Sequence, residues 1–596
     1  MSGVTWVYIM LGLYIIYCVY MGMKGYFSEK TSSGYAIAGR SIPFIAFLMA
    51  ATAASFSGWT FIGHPGLIWR DGLAYAFASF YVLTIPITGA FFSKRTWLLG
   101  KRYGFITPGD MYAYYYNNEA VRWLVVLTAF LYSMFYSAVQ LMAAAALFHW
   151  VAGVPVAFGA IFMAFIVWFY VCTGGMKASA WVGVIQFLLL VGGIILLGFY
   201  VITAPEIGGW GVLSEKIANL DKRYLEVPRV INFGLGGAAG EVPWTALMCL
   251  TYMFALMGIQ SSPAFTMWTF GIKSPKPLAW QQAFMSTFVV GFALFFFTAF
   301  QGMGARILEM EGVLVLARDS EVVPKLMTQF LPPFVLGVVF MGAIAAIHST
   351  AAPYINTGGS ILLRDVYWRY IRKQEAGHAE QIWVNRLLAT VVTAAALVVG
   401  LNSTAALVIL GALATAFGFV MYVLLLGVIW GFRFPSVGAA LGVVAGMVAV
   451  FLTYYVWPNP LSMHSAFWGV AAGLAVAYLC RGIGIKDDEE TVQRQIEIRR
   501  YLDSADAPSE AGQAWRNTMK IVVPVWYIFA IGPACILGNW AFAFAGFTPL
   551  WSWQIAWWIV GVIVMWALCF KAEMATTHEV QIQRAEVDLM IVVKEA

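Results

Sequence analysis

The chain consists mostly of apolar segments, each long enough to cross a lipid bilayer. About 20 apolar residues span the hydrocarbon core as a helix, and only 11% of this sequence is charged, against about 25% in an ordinary soluble domain. We therefore predict an all-α, polytopic membrane protein embedded in the lipid bilayer. About fifteen spans can be marked, near 5–24, 44–64, 73–93, 123–148, 154–173, 180–203, 244–270, 283–305, 334–362, 384–401, 404–431, 436–457, 464–480, 520–542 and 551–570.

The positions of lysine and arginine predict how the chain is oriented. An odd number of spans places the two ends on opposite sides, and loops rich in Lys and Arg stay in the cytoplasm. Most of the 35 basic residues fall inside if the N-terminus is outside, so we predict an N-out, C-in protein of the cytoplasmic (inner) membrane. These topology signals also explain the net charge of +6, and no nucleic-acid partner is expected.

Residue types that would indicate an enzyme are scarce in the apolar segments. The six cysteines lie in apolar runs without paired spacing, as small buried hydrophobic residues do. We find no Asp or Glu in the middle of a predicted span and no HExxH, GxSxG or Walker motif. The sequence therefore predicts neither an enzyme nor an organic cofactor.

Two predicted spans are interrupted by hydroxyl residues, glycine and proline. They read "ATAASFSGWTFIGHPG" (51–66) and "FALMGIQSSPAFTMW" (254–268), where Pro263 removes a backbone donor. Backbone freed at membrane depth is tolerated where it lines a cavity inside the protein. Small hydroxyl residues also serve helix–helix packing, but matched breaks in two halves of a chain indicate a transporter binding site with inverted repeats.

The broken spans open two blocks of five spans each, so the second block is inverted relative to the first. Accessory helices and connecting segments flank these blocks. The predicted boundaries are 1–43 for an extra N-terminal helix and loop, 44–203 for the first repeat, 204–243 for an external loop, 244–431 for the second repeat, 432–484 for two accessory helices, 485–518 for a cytoplasmic amphipathic connector, 519–571 for two C-terminal helices and 572–596 for a cytoplasmic tail.

A pair of hydroxyl residues on a third span predicts a cation site. In "AIAAIHSTAAP" (343–353), Ala346, Ser349 and Thr350 are spaced i, i+3 and i+4 and share one helix face. Their oxygens, together with carbonyls freed by the first broken helix, would form an all-oxygen cage of the kind that holds Na⁺. The alternative is that both hydroxyls bond back to carbonyls of their own helix.

Four short motifs are specific to one family when they occur together. They are "GYAIAGRSIP" (34–43), "SFSGWTFIGHPG" (55–66), "GGMKASAWVGVIQ" (174–186) and "HSTAAPYINTGGSILLRDVY" (348–367). On these motifs the chain resembles the sodium:solute symporter family over roughly residues 5–480. The resemblance implies Na⁺-coupled uptake of a small organic solute by alternating access. It also implies a neurotransmitter-symporter-like fold of five plus five inverted helices, with one extra N-terminal and about four extra C-terminal helices.

The resemblance also implies which atoms bind the coupling ion. Carried over to this sequence, the Na⁺ ligands are the carbonyl oxygens of Ala53, Phe56 and Ala346 and the hydroxyls of Ser349 and Thr350. In the family motif W-T-D-x-x-Q the acid holds a second Na⁺ in members that use two. Here the stretch reads Trp181-Val182-Gly183, so we predict one Na⁺ for each substrate.

Departures from the family pattern bear on the substrate. Ser55 stands where the proline branch has Asp and the sugar branch Asn, and Trp59-Thr60 replaces the Glu-Gln pair of the sugar branch. Gly258 and Trp268 stand where the family has an aromatic gate and a later Arg. Sugar transport is therefore disfavoured, because binding several hydroxyls needs several amides or carboxylates.

The remaining polar residues of the broken helices predict a small, uncharged substrate pocket rich in donors. Such a pocket, with helix dipoles pointing into it, suits the carboxylate of a small amino acid or a monocarboxylate. The candidate substrate residues are Ser55, Ser57, Thr60, Gln140, Gln260, Ser261 and Ser262.

Two other functions stay open on the sequence alone. The chain would serve as a ligand-sensing membrane protein if a separate signalling partner read its state. It would be a proton-coupled symporter if His348 or His64 carried the coupled proton. The connector 485–518 reads as a solvated or interfacial helix, and a partner protein at this segment is the second possibility.

Overall fold

In the computed structural model, residues 1–233, 244–402 and 407–576 are described, and within these ranges the chain forms helices and no strand. The first helices surround the first predicted break. They are α1 (Gly3–Ser28), α2a (Phe44–Ser55), α2b (Trp59–Asp71), α3 (Leu73–Tyr103), α4 (Glu119–Ala152) and α5 (Val156–Ile202).

The second set of helices surrounds the second predicted break and continues into the C-terminal extension. It comprises α6a (Ala246–Ser261), α6b (Pro263–Gly271), α7 (Lys276–Met310), α8 (Pro333–Ile371), α9 (His378–Asn402), α10 (Leu407–Val420 continued by Tyr422–Trp430), α11 (Ser436–Val456), α12 (Ser465–Gly482), α13 (Glu489–Ala505), α14 (Glu510–Ala530) and α15 (Pro549–Lys571). Short helices in the connections include Ser32–Ile37, Pro108–Tyr116, Trp210–Ala218 and Val322–Phe330.

Among the described residues, 11 helices are long and apolar enough to cross a membrane, or up to 13 if each bent pair is one span. The difference from fifteen arises in α5 and α6. Helix α5 contains two of the predicted spans, joined at Gly175, where φ is +57° and ψ is −150°. The predicted span 244–270 is divided into α6a and α6b, both short. Multiple membrane spans are thus a property of this chain, while the number fifteen and the N-out, C-in orientation stay predictions.

The first predicted break is present between α2a and α2b. Helix α2a ends at Ser55, Phe56 is extended with φ −119° and ψ 97°, and α2b leaves at an angle of 53°. A Cβ atom at Gly58 would lie 2.8 Å from Ile347 and 3.0 Å from Ala143. Glycine therefore lets the unwound segment pass between α4 and α8.

The second predicted break separates α6a from α6b. Ser262 is extended with φ −65° and ψ 155°, its hydroxyl accepts a hydrogen bond from the Phe265 amide at 3.4 Å, and Pro263 begins α6b. Proline suits this first helical position because the amide it lacks has no partner there. Four residues before Ser262, a Cβ at Gly258 would lie 2.0 Å from the Thr415 carbonyl oxygen. The backbone of α10 therefore occupies the space that an aromatic side chain at this position, expected from the resemblance, would need.

The amphipathic connector packs one face against the protein. Ile498 and Leu502 on α13 are buried, whereas Glu497 and Arg500 are exposed. Beyond α13, Asp506 forms ion pairs with Lys94 at 2.5 Å and Arg95 at 2.6 Å. Burial would raise the pKa of the Asp506 carboxyl, but these cations hold it below its ordinary value. The connector is therefore clamped to α3.

Candidate functional site

The predicted cation ligands meet where α8 crosses the break in α2. The Ser349 hydroxyl lies 3.0 Å from the Ala53 carbonyl oxygen and 3.1 Å from that of Ala346. The Thr350 hydroxyl points to the same helix end, with its hydrogen bond to the Ala54 carbonyl at 3.4 Å. Both hydroxyls are buried. The helix end of α2a and the hydroxyl face of α8 therefore form one group of oxygens.

The Phe56 carbonyl differs from the other predicted ligands in its hydrogen bonding. Among the hydrogen bonds between described residues, none ends on this oxygen, because the extended conformation of Phe56 takes it out of the helical ladder. The Ala53 carbonyl accepts from the Phe56 amide at 3.2 Å and from Ser349. Hydroxyl bonding within one helix, the alternative noted above, accounts for the Ser349 contact to Ala346 and for none of the contacts to α2a.

The donor set fits a small monovalent cation. Every predicted ligand is a neutral carbonyl or hydroxyl oxygen, which is the ligand type found at Na⁺ sites in transporters with broken helices. Buried unsatisfied carbonyls are costly in a membrane interior, so a cation at this position would stabilise the open end of α2a. The roles of Ala53, Phe56, Ala346, Ser349 and Thr350 as ligands stay predictions.

The two histidines suggested for proton coupling lie in different surroundings. The ring nitrogens of His64 contact Ser79 at 2.9 Å and Tyr75 at 3.3 Å, so both have partners within the fold. His348 contacts the Tyr14 hydroxyl at 3.0 Å through Nδ1. Its Nε2 is buried without a partner among the described residues. His348 therefore faces α1, away from the hydroxyls of Ser349 and Thr350.

Gly183, which replaces the family's acid, packs closely against the first broken helix. A Cβ at this position would lie 2.5 Å from the Cβ of Ala50. Glycine thus serves close packing between α5 and α2a.

A small cavity lies beside the break in α2. Its volume is about 10 Å³, close to the minimum that holds one water molecule. Ser55 is the single predicted substrate residue in its wall, and its hydroxyl bonds to the Ala51 carbonyl at 3.2 Å. The other lining residues are Trp59, Tyr81, Tyr136, Tyr252, Leu256, Ile259, Gly411, Ala412 and Thr415.

Three further predicted substrate residues surround this cavity without lining it. The Thr60 hydroxyl lies 2.5 Å from that of Tyr81. The Gln140 side-chain oxygen accepts from the Gly58 amide at 2.9 Å, which supplies a partner for the interrupted backbone. The Ser57 hydroxyl accepts from the Trp59 amide at 3.2 Å. These contacts hold the shape of the break.

The polar residues of the second break point elsewhere. The Gln260 amide nitrogen lies 3.5 Å from the Gln281 side-chain oxygen on α7, and Ser261 donates to the Gly418 carbonyl at 2.8 Å. Ser262 caps α6b, as described above. In this conformation Gln260, Ser261 and Ser262 are not among the residues that line the cavity.

The aromatic residues that line the cavity are not among the site residues predicted from the sequence. Trp59 and Tyr81 pack edge to face at 5.1 Å between ring centroids, and Phe56 packs on Tyr81 at 5.2 Å. Tyr136 and Tyr252 come from α4 and α6a. With 28 tyrosines and 25 tryptophans in the chain, no signal in the sequence separates these rings from those at the membrane interface.

Comparison with known proteins identifies the family. The model of the sodium:solute symporter family matches residues 35–446, which is most of the chain and includes both broken helices and the hydroxyl pair. The chain belongs to this family.

Its curated relatives carry different substrates. It is 25% identical to a sodium/glucose cotransporter of Vibrio parahaemolyticus over 486 residues, 78% of this chain and 87% of that one. It is 24% identical to a sodium/pantothenate symporter of Escherichia coli K12 over 60% of this chain and 72% of that one. It is also 24% identical to a sodium/proline symporter of Staphylococcus aureus JH9 over 78% and 88%.

A solved structure shows the same fold. It is a substrate-bound, outward-open state of a Na⁺-coupled sialic acid symporter, aligned over 81% of this chain and 99% of that chain with a TM-score of 0.68. The sequence identity of 17% limits this likeness to the fold. The predicted repeat boundaries stay predictions.

Proposed function

We propose that this member of the sodium:solute symporter family couples the entry of one Na⁺ to the uptake of a small amino acid or a monocarboxylate across the cytoplasmic membrane. Family membership supplies the general activity, Na⁺-coupled symport of a solute, and does not favour a sensor or a proton-coupled carrier. The number of ions, the substrate class and the membrane are our proposals.

One observation carries the Na⁺ site. The Ser349 hydroxyl lies within 3.1 Å of carbonyl oxygens from two helices, Ala53 on α2a and Ala346 on α8. A cation bound by these carbonyl oxygens and by the oxygen of the intact Ser349 hydroxyl, whose O–H would turn away, would join α8 to the open end of α2a, with Thr350 and the Phe56 carbonyl completing the cage. Binding would therefore favour the conformation in which the two helices meet.

The cavity supports a small substrate recognised by neutral donors. Its polar side chains are hydroxyls and the indole of Trp59, and none of the described side chains that line it is charged. A carboxylate would be held by hydroxyl donors and by helix dipoles, while the aromatic rings would contact an apolar body. Because about 10 Å³ admits no organic solute, binding requires that α2, α3, α4, α6 and α10 separate. Such separation is what alternating access provides.

A thermal-shift screen of the purified full chain tests this function. Small amino acids and monocarboxylates are added at a fixed pH, with Na⁺ or with choline as the cation. We expect one chemical class to raise the melting temperature, and to do so more strongly with Na⁺, because the two ligands are linked. Uptake of that ligand into proteoliposomes then requires Na⁺. Uptake that persists without Na⁺ and follows a pH gradient would contradict the proposal.

A further inference from the structure

A long apolar groove runs between the transport core and the C-terminal helices. Its volume is about 810 Å³, and it is bounded by α3, α6a, α10, α14 and α15. Leu250, Phe254 and Met257 form part of its floor, and Val523 and Ile528 form part of its outer wall. Helices α14 and α15 lie beyond the segment that matches the family, which ends at residue 446. The groove is therefore a feature that this extension adds to the transporter.

One end of the groove is basic. Arg516 and Lys520 are the charged residues in its wall, one turn apart on α14. Arg516 is held in place by Asp506 at 3.2 Å and by the Ala572 carbonyl at 2.9 Å. The Lys520 side chain is exposed and donates to Asn517 at 3.0 Å, and it has no acidic partner within the described part of the chain. Lys520 thus presents an uncompensated charge at the end of an otherwise apolar surface.

The other end of the groove reaches the second broken helix. The Tyr527 hydroxyl on α14 lies 3.5 Å from the sulfur of Met257, one residue before Gly258. Tyr422, also in the groove wall, has its hydroxyl 2.5 Å from that of Thr88 on α3. A molecule lying in the groove would therefore touch both α6a and α10.

We infer that this groove binds an anionic phospholipid. Its acyl chain lies along the apolar floor, and its phosphate lies at Lys520 and Arg516. In a membrane the available ligands with a long apolar body and a negative head are anionic lipids, which basic residues at the ends of transmembrane helices attract. The site concerns the C-terminal helices and does not depend on which solute is transported.

Native mass spectrometry of the full chain in detergent tests the inference, with phosphatidylglycerol and phosphatidylcholine as probes. We expect one phosphatidylglycerol to be retained in preference to phosphatidylcholine. Lys520→Gln should weaken this binding about fivefold, the effect of one basic residue at a membrane surface. Lys276→Gln, which removes another exposed lysine that does not line the groove, is the matched control and should bind like the parent.

A second pair of variants tests the apolar part of the groove. Ile528→Trp fills the groove from its exposed wall, whereas Ile521→Trp places the same ring on the same helix outside the groove. We expect only Ile528→Trp to lose both the retained lipid and the rise in melting temperature that phosphatidylglycerol produces. Equal retention of the two lipids by the parent would overturn the inference. So would equal losses within either pair of variants.

Discussion

Replacing Thr350 by valine should weaken Na⁺ binding while leaving the packing of α8 intact. Valine has nearly the shape of threonine but lacks the hydroxyl, which here points to the end of α2a and donates to the Ala54 carbonyl at 3.4 Å. The same helix offers a matched control two turns away. Thr357 is equally buried, and its hydroxyl has no partner among the described residues. Thr357→Val therefore removes the same hydroxyl at a position where it has no hydrogen-bond partner among the described residues.

The size of the effect follows from the charge of the ligand. A hydrogen-bond partner of a charged group contributes about 1.5–3 kcal/mol, and 1.4 kcal/mol corresponds to about tenfold in affinity. Thr350→Val should thus weaken Na⁺ binding between about tenfold and 150-fold. Adding Ser349→Ala removes the second hydroxyl and should abolish Na⁺-dependent uptake. Thr357→Val should leave Na⁺ affinity unchanged and be neutral or slightly stabilising, because it removes a buried unsatisfied hydroxyl.

The measurement is the Na⁺ concentration that half-saturates the thermal stabilisation of each purified variant. Thr350→Ser, which keeps a hydroxyl, should retain most of the parental affinity. The role of the Thr350 hydroxyl as a Na⁺ ligand is refuted if Thr350→Val and Thr357→Val show the same Na⁺ dependence. It is also refuted if Ser349→Ala combined with Thr350→Ala keeps the parental affinity.

Three further predictions concern the substrate, the ion count and the C-terminal clamp. Thr60→Ala and Tyr81→Phe each remove one of two hydroxyls that lie 2.5 Å apart beside the cavity. Each should raise the KM for substrate about fivefold without changing the Na⁺ affinity measured in the absence of substrate. Unchanged uptake by both variants would show that the substrate binds elsewhere. Because Gly183 supplies no oxygen, uptake in proteoliposomes should depend on Na⁺ with a Hill coefficient near one, and a value near two would exclude a single ion. Asp506→Asn should cost about 3–5 kcal/mol, seen as a lower melting temperature. Because the folded pKa of this carboxyl lies below its ordinary value near 3.8, its contribution to the free energy of unfolding is complete above that value and is lost as the pH falls through the folded pKa. The parent should therefore lose stability in this acidic range, whereas Asp506→Asn should not. Parallel pH profiles of the two proteins would contradict the assignment.

The interrupted helices and the hydroxyl pair could be predicted because their signals are local. Pro263 lacks the backbone donor that a helix interior uses, and it follows two serines and a glycine in a short stretch. The i, i+3, i+4 spacing of Ala346, Ser349 and Thr350 places them on one face of any helix that contains them. That this face contacts α2a could also be predicted, because the carbonyls freed at the end of a broken helix require partners.

The walls of the cavity could not be predicted in the same way. Tyr81, Tyr136 and Tyr252 come from three helices, and their convergence depends on how those helices rotate against one another. That rotation is fixed in part by Gly258, whose missing side chain admits the backbone of α10. The sequence shows the glycine but not the Thr415 carbonyl that lies against it, so the direction in which the neighbouring polar residues point could not be predicted.

The clamp at Asp506 has a consequence for the biogenesis of the protein. Arg95 and Asp506 are separated by 411 positions, so α3 leaves the ribosome long before the carboxylate that neutralises it exists. During that interval Lys94 and Arg95 have no acidic partner at residue 506, and on the predicted orientation they would hold this end of α3 on the cytoplasmic face, as basic residues near the ends of spans do. On that orientation the same two charges would first help to set the topology of α3 and would then, once the C-terminal helices are made, form the buried ion pairs with Asp506. A nascent chain released before Asp506 would keep the two charges and never form these ion pairs.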